Sequence, residues 1–572
     1  MAKIKPEKAY ERIVINGFAG IRNAASRNGP GASRCLNFRI SPDGSLVKRS
    51  GWTTRYRLGQ PIRAVWQGTL ANESYLFAVS GSYVYAKLPG DSGFTLIYFL
   101  PGETGKVSFR MYSGELYLFD GSSIYRFLES TSTFTVAYGY VPLYGANWHP
   151  TQMGAVNEPL NMVYPRIRIT YLNAVGSVNF TLPYTAQSIG HMDVDGTTVT
   201  SYTFTPGTNT FRIPESMAHG VLTVLVTLSP AFSQRSSLVR ASQSHIYRTP
   251  DSETLLLYGG TGGYRVYYTK PVTDRMLQDS MALYSSSDPL YVPAGGYFSI
   301  GDTLHPVHAL CSSGNRVIAF SDCAVWAIDR SEGDLICYPM EGGIGCSSPG
   351  GATLLGSDPV TVHSGGVYRI GFPSSSSDVC VPISLSDGVD ELFPASLLSH
   401  GILAWCADRG ELWLRDTTET ESGILWVWNA RRKEWFCYDH CPAVLFFEID
   451  GQVGFGTSDG RLVFPDDASN TDDSSPIEAL YQSNFLSFSH PESFKRAYRI
   501  NICADTGSAS PKLTVLTERY SRSFFLTATQ TAVPETFDFR AVDSRFRVMR
   551  IELEDTGSAR TRIYRISVLA NR

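Results

Sequence analysis

The chain has 572 residues, with 49 basic and 53 acidic side chains, a net charge of −4 and a pI near 6.2. Hydrophobic residues make up 43% and charged residues 18%, enough apolar surface to build a sizeable core, which excludes wholesale disorder. The balance of charge argues against a basic duplex-binding protein, while Gly 51, Pro 31, Tyr 31 and Phe 30 supply the turns and strand-favouring aromatics of an all-β protein.

The amino terminus, MAKIKPEKAYERIVING, carries no apolar stretch of signal-peptide length and no small-residue cleavage site. No run of 18 apolar residues occurs anywhere, so no membrane insertion is expected. Residues 1–60 are expected to supply strands that close the structure against its last repeat, with Asp43-Gly44 turning a hairpin between LNFRI and SLVKR.

From there one unit recurs: a short apolar strand, a turn of Gly, Ser or Asp, and a strand with an aromatic or apolar centre. It appears at Glu73–Lys87, Gly114–Phe127, Thr254–Tyr268, Asn315–Ile328, Asp358–Ile370, Gly401–Arg415 and Gly451–Phe464. The centres Tyr85 and Tyr125 lie 40 residues apart, and Trp326, Tyr368, Trp413 and Leu462 follow at 42, 45 and 49. A period of about 40–50 residues with four strands per unit predicts a β-propeller of six to eight blades. Its blades occupy residues 61–142 and 244–465. An open β-sandwich array is the competing architecture.

Two intervals are too long. Tyr125 to Tyr267 spans 142 residues and accommodates an inserted β-sandwich domain over 143–243, where IRITYL, VNFTL and VLTVLVTL alternate with period 2. The second contains TDRMLQDSMALY, with Met276, Leu277 and Met281 on one helical face and Thr273 as a cap. After the last blade, Asp466–Pro476 is an acidic linker. Residues 477–572 form a C-terminal jelly-roll-like β domain, whose strand RFRVMRIELE changes phase and calls for a bulge near Met549.

Chemistry is sparse along this chain. No HExxH, GxSxG, Walker or GxGxxG pattern sits in a supporting context. GGTGGY (Gly259 to Tyr264) lies between strands and reads as a loose turn. Among ten cysteines, Cys323, Cys406 and Cys503 read as small core residues. CYDHC (Cys437 to Cys441) is the one tight cluster but lacks a second ligand pair. His305 and His308 are expected on opposite faces of one strand, without a third partner. Asp334 with Glu341, or Asp387 with Asp390 and Glu391, are carboxylate pairs a glycosidase could use. TSDGRLVF at Thr457 falls short of the sialidase Asp-box. Trp405, Trp413, Trp426 and Trp428 could stack on sugars, though strand alternation favours blade packing. Two basic runs stand out. One is Arg431, Arg432 and Lys433; the other is eight arginines from Arg540 onward, set against Asp543, Glu552, Glu554 and Asp555. They form either a solvated strand face or a positive surface for an acidic neighbour or DNA. No catalytic, cofactor-binding or metal-binding residue is therefore assigned, and no enzyme activity or cofactor is expected.

The segment Gly17 to Trp52 resembles the opening of bacteriophage tail-nozzle and neck-type β-propeller proteins, through Gly17, Pro30, Gly31, Asn37, Gly44, Lys48, Arg49 and Gly51. YVPLYGANWHP with NEPLNMVYPR, HPVHALCSSGNRVIAFSDCAVWAI and MEGGIGCSSPGGATLLGSDPVTVHSGGVYRI are similar to the same group. The resemblance implies a structural virion protein at the head–tail junction or tail, assembled in the host bacterial cytoplasm. It implies a homo-oligomeric ring of about six copies that contacts neighbouring tail, neck, adaptor or portal-proximal rings. Genomic DNA would pass non-specifically through its lumen during ejection. The alternative is a carbohydrate-binding or glycan-cleaving β-propeller used in host receptor recognition.

Overall fold

The computed structural model describes residues 10–571 except 16, 23–30, 104, 230–232, 261–262, 274–287, 375–376, 420–422, 488–491, 530–531 and 539–544. The chain is an all-β protein of the β-propeller class. It divides into two compact units, Arg63–Glu341 and Met1–Ile62 with Gly342–Arg572. Among the described residues there are seven four-stranded antiparallel meanders, six of them separate sheets and one, Gly401–Tyr438, continuing through Ala32–Leu36 into a ten-stranded sheet of the carboxy-terminal domain. In chain order they run Ile62–Phe99, Ser108–Val136, Gln243–Ser299, Val307–Pro339, Ala352–Ser384, Gly401–Tyr438, and Ala443–Asp466 with Gly51–Arg57. We number them blades 1 to 7.

The hairpins form where the backbone can reach positive φ. In blade 2, Ser113 (φ 51°) and Gly114 (φ 81°) join Tyr112 to its cross-strand partner Glu115. Two consecutive left-handed residues make the type I′ turn whose twist matches the flanking strands.

Inner strands read as continuous apolar runs because both of their faces are covered. In blade 2, Leu116 and Leu118 pack with Phe77 and Val79 of blade 1, while Tyr117 and Phe119 pack with Leu255 and Leu257 of blade 3. In blade 3, Leu256 and Tyr258 turn the other way, onto Val317 and Ala319 of blade 4. Successive side chains thus address the preceding and the following blade, which is the stacking a propeller requires. A sandwich of five and three strands, within Leu143–Leu228, lies between blades 2 and 3 in sequence and has its own core around Tyr171, Phe180 and Val224.

In the other unit, the Asp43-Gly44 hairpin does not join the last blade. Phe38–Ile40 and Leu46–Lys48 enter a seven-stranded sheet with Arg562–Asn571, and Gly51–Arg57 instead pairs with Arg461–Asp466 to complete blade 7. That sheet packs on a second one through Ile500, Ile551 and Val568, giving the jelly-roll-like carboxy-terminal domain. The change of phase in RFRVMRIELE falls at Arg547 rather than near Met549. Arg545–Phe546 pairs with one sheet and Val548–Asp555 with the other, so the strand turns a corner of the sandwich.

Three residues from the segment carrying the virion-protein resemblance lock this unit. Buried Arg49 donates to Asn37 Oδ1 (2.8 Å) and bidentately to Asp472 Oδ1 and Oδ2 (2.8 and 2.6 Å), with its guanidinium 5.1 Å from the Trp52 ring. Lys48 lies 3.5 Å from Asp555, both 1% exposed. The segment 466–476 is thereby no free linker: Asp472 accepts from Arg49 and the Trp52 N–H, and Asp473 accepts from Thr54 N–H. The helix expected over 273–284 lies outside the described residues, apart from Thr273. No helix among the described residues is long and apolar enough to cross a membrane.

Candidate functional site

The site begins with two turns at one end of blade 6. Gly401–Cys406 and Glu411–Asp416 are joined through Asp408 and Arg409, and Leu425–Asn429 and Glu434–Tyr438 through Arg431 and Arg432. In a four-stranded meander, the first and third turns lie at the same end. Asn429 Oδ1 accepts the backbone N–H of both Arg431 and Arg432 (3.1 Å each), which fixes the second turn. Arg39 joins them from strand Phe38–Ile40, where Phe38 and Ile40 turn into the core and Arg39 faces out. Asp467, just after blade 7, completes the ring.

These residues, with Glu411, enclose a cavity of about 280 Å³. Its charges are unevenly matched. Arg409 is bound, donating to Asp467 Oδ1 at 2.9 Å and to Ser50 Oγ at 3.4 Å, yet its buried Nε makes no hydrogen bond. Arg432 donates to Glu434 Oε2 (3.4 Å) and to the Phe18 carbonyl (3.0 Å). Arg39 and Arg431 make no side-chain hydrogen bond or ion pair among the described residues. Arg560 stands nearby; burial and the like charges of Arg39, Arg562 and Arg409 push its pKa down. Of the two basic runs in the sequence, Arg431 and Arg432 line this cavity and Arg560 alone of the later arginines lies close to its Arg39, Arg409 and Asp467.

Two carboxyls in the cavity are driven apart. Burial raises the pKa of Glu411, against hydrogen bonds from Trp413 Nε1 (3.1 Å) and Tyr438 and the charges of Arg409 and Arg39. Burial pulls Asp467 the same way but is outweighed by Arg409, a Ser50 hydrogen bond and Arg39, which hold it below its ordinary value. The two carboxyls lining this cavity are thus shifted in opposite directions by their surroundings.

Apart from Arg431 and Arg432, the candidate residues named from the sequence lie elsewhere. Asp334, Glu341, Asp387, Asp390 and Glu391 are surface carboxylates. Trp413, Trp426 and Trp428 are buried and Trp405 is half-buried against the same core; Trp413 packs edge-on against Trp52 at 5.5 Å, so these rings serve chiefly to build the blade. CYDHC disperses: Cys437 and Cys441 point into the core, burial pushes the Cys441 thiol up to about 12, and His440 is exposed beside Asp439. Cys406 is buried, whereas Cys323 is exposed and Cys503 only half-buried. His305 precedes its strand and gains the partner it lacked in sequence. Its Nδ1 is 3.0 Å from both Asp322 oxygens, and with Cys323 the donor atoms lie within 4.8 Å of one another. Gly259 and Gly260 of GGTGGY have φ of 82° and 97° and make a turn; Thr261 and Gly262 lie outside the described residues.

No family model and no curated protein matches the chain. Solved structures do. The extracellular domain of a one-component system from B. thetaiotaomicron is 11% identical, covering 92% of this chain and 95% of that one at a TM-score of 0.25. An exo-β-1,3-galactanase from Phanerochaete chrysosporium, with β-1,3-galactotriose, is 9% identical over 97% and 99% at 0.21. A glycoside hydrolase is 10% identical over 89% and 98% at 0.15. With two hydrolases among them, the expectation that the chain is not an enzyme is withdrawn: missing short motifs do not exclude catalysis by carboxylates that only the fold brings together. At such scores the likeness assigns no activity to this chain.

Proposed function

We propose that the chain is a carbohydrate-active β-propeller whose arginine-lined cavity takes an acidic saccharide. The observation that carries this reading is the convergence of Arg39, Arg409, Arg431 and Arg432 on one cavity, with Arg39 and Arg431 in no close ion pair among the described residues although Arg39 acts on Glu411 and Asp467 through its charge. Guanidinium groups bind carboxylate and sulfate oxygens bidentately, and partial burial strengthens such bonds. Glu411 is then the proton donor to a glycosidic oxygen, and Asp467 is the ionised partner that activates water or attacks the sugar.

The test offers the full chain a uronate-rich oligosaccharide and its carboxyl-reduced counterpart. Binding of the acidic form alone, weakened at least about tenfold by Arg39→Ala with Arg431→Ala, supports the site. Release of reducing ends, lost in Glu411→Gln and Asp467→Asn, supports cleavage. Equal binding of both oligosaccharides defeats the reading.

The second reading is a virion ring component of the tail nozzle or neck, with the same arginines facing duplex DNA. It is favoured by the position of Arg560 beside Arg39 and Arg409, which extends the arginine cluster beyond the cavity. It predicts sequence-independent duplex binding whose logarithm falls linearly with the logarithm of salt concentration, and ring-shaped oligomers in solution.

A further inference from the structure

The tip of blade 4, in the unit Arg63–Glu341, holds a second constellation that the arginine cavity does not use. Asp322 and Cys323 form the turn between Arg316–Ser321 and Val325–Ser331, which is closed by Ser321 N–H to the Ala324 carbonyl (3.0 Å) and Ala324 N–H to Ser321 Oγ (3.1 Å). The turn therefore holds both side chains at a fixed apex. Facing it, the loop before the blade is held by Asp302, whose Oδ1 accepts the N–H of Leu304 (2.8 Å) and of His305 (3.0 Å). Gly301, at φ 72°, lets the chain fold back so tightly that a Cβ there would stand 2.7 Å from the His305 carbonyl oxygen. Both halves of the constellation are thus set by backbone geometry.

What the two halves present is an imidazole nitrogen, a carboxylate and a thiol. His305 Nδ1 lies 3.0 Å from Asp322 Oδ1 and Oδ2, and the Cys323 sulfur is within 4.8 Å of both groups. Bond lengths of about 2.0–2.3 Å to a tetrahedral zinc ion place neighbouring ligand atoms about 3.3–3.6 Å apart, so a small outward movement of Asp322 and an inward one of Cys323 close the site. A mixed nitrogen, oxygen and sulfur set favours a borderline-soft ion over magnesium or calcium. Three protein ligands leave a fourth position for water.

We infer that His305, Asp322 and Cys323 bind a zinc-type divalent cation that ties the loop entering blade 4 to that blade's central turn. The inference does not rest on the saccharide reading and concerns a different unit of the chain.

The experiment strips the untagged full chain with a chelator and titrates it with zinc ion alone, counting bound metal by mass spectrometry. Cobalt(II) is then substituted to report on the ligands. One zinc per chain is expected, with a sulfur-to-cobalt charge-transfer band in the near ultraviolet. Cys323→Ser is expected to abolish the band, and His305→Ala and Cys323→Ser each to weaken zinc binding roughly a hundredfold. Both side chains are at least partly exposed, so the variants should keep the wild-type circular dichroism and remain informative. Absence of stoichiometric zinc, unchanged affinity in both variants, or tetrahedral cobalt without a thiolate band overturns the proposal.

Discussion

His245 offers the sharpest test of how the blades pack. It lies on the first strand of blade 3, its Nε2 2.8 Å from Ser312 Oγ of blade 4 and close to Arg110 of blade 2. Burial, aided by the Arg110 charge, lowers its pKa from 6.5 to about 4. The folded protein therefore resists a proton that the unfolded chain accepts. The stability conferred by neutral His245 is complete above about pH 6.5 and drains away as pH falls toward 4, where the folded ring also protonates. The shift corresponds to about 3 kcal/mol, which the ring's partial access to solvent reduces to about 2 kcal/mol. His245→Gln keeps a hydrogen-bonding group toward Ser312 and removes the titration. Urea unfolding of both proteins, followed by hydrogen exchange in blades 3 and 4 at pH 7 and pH 4.5, should show the wild type losing about 2 kcal/mol more than the variant over that interval. Parallel pH dependences would refute the packing of His245 between these blades.

Other consequences are equally direct. Lys48→Met strands Asp555 in a site where both groups are 1% exposed, so it should destabilise the carboxy-terminal domain by about 3–5 kcal/mol in denaturant midpoints. Arg49→Lys loses the bidentate grip on Asp472 and the Asn37 contact; a stability loss of about 2 kcal/mol and earlier proteolysis within 466–476 should follow. Saccharide cleavage should follow a bell-shaped pH profile. Its acid limb, where Asp467 takes up a proton, lies below the usual carboxylate range, and its alkaline limb, where Glu411 loses one, lies above. Glu411→Gln should remove the alkaline limb together with the rate.

The blades were legible because their signal is local. Gly114, Gly410 and Gly451 sit in turns between apolar strands, and a hairpin needs nothing beyond its own residues. The spacing of Trp326, Tyr368, Trp413 and Leu462 placed the blades for the same reason. What the sequence hid is pairing at long range. The Asp43-Gly44 hairpin and Gly51–Arg57 carry the same kind of pattern, yet one joins Arg562–Asn571 and the other Arg461–Asp466, partners some 400 to 500 residues distant. The acidic composition of 466–476 looked like a linker because the buried arginine that fixes it is Arg49.

The site was half visible. Arg431 and Arg432, and the arginines near the end, were noticeable as runs. Arg39, Arg409 and Asp467 are single charges in ordinary strand or turn positions, and nothing in their immediate sequence tells them from solvated neighbours. Glu411 alternates within a strand like any outward residue, but blade packing buries it. His305 lacked a third ligand in sequence because Asp322 and Cys323 reach it only across a blade.

Selection of an acidic sugar by the guanidinium groups around Glu411 and Asp467 is the proposal on which the functional reading stands. Calorimetric titration of the full chain with a uronate-rich oligosaccharide, its carboxyl-reduced form and a short DNA duplex tests it most directly. Saturable binding of the uronate alone, lost when Arg39 and Arg431 are both replaced by alanine, is the predicted result. Binding of the reduced sugar with equal affinity, or of the duplex in preference to the uronate, would contradict it.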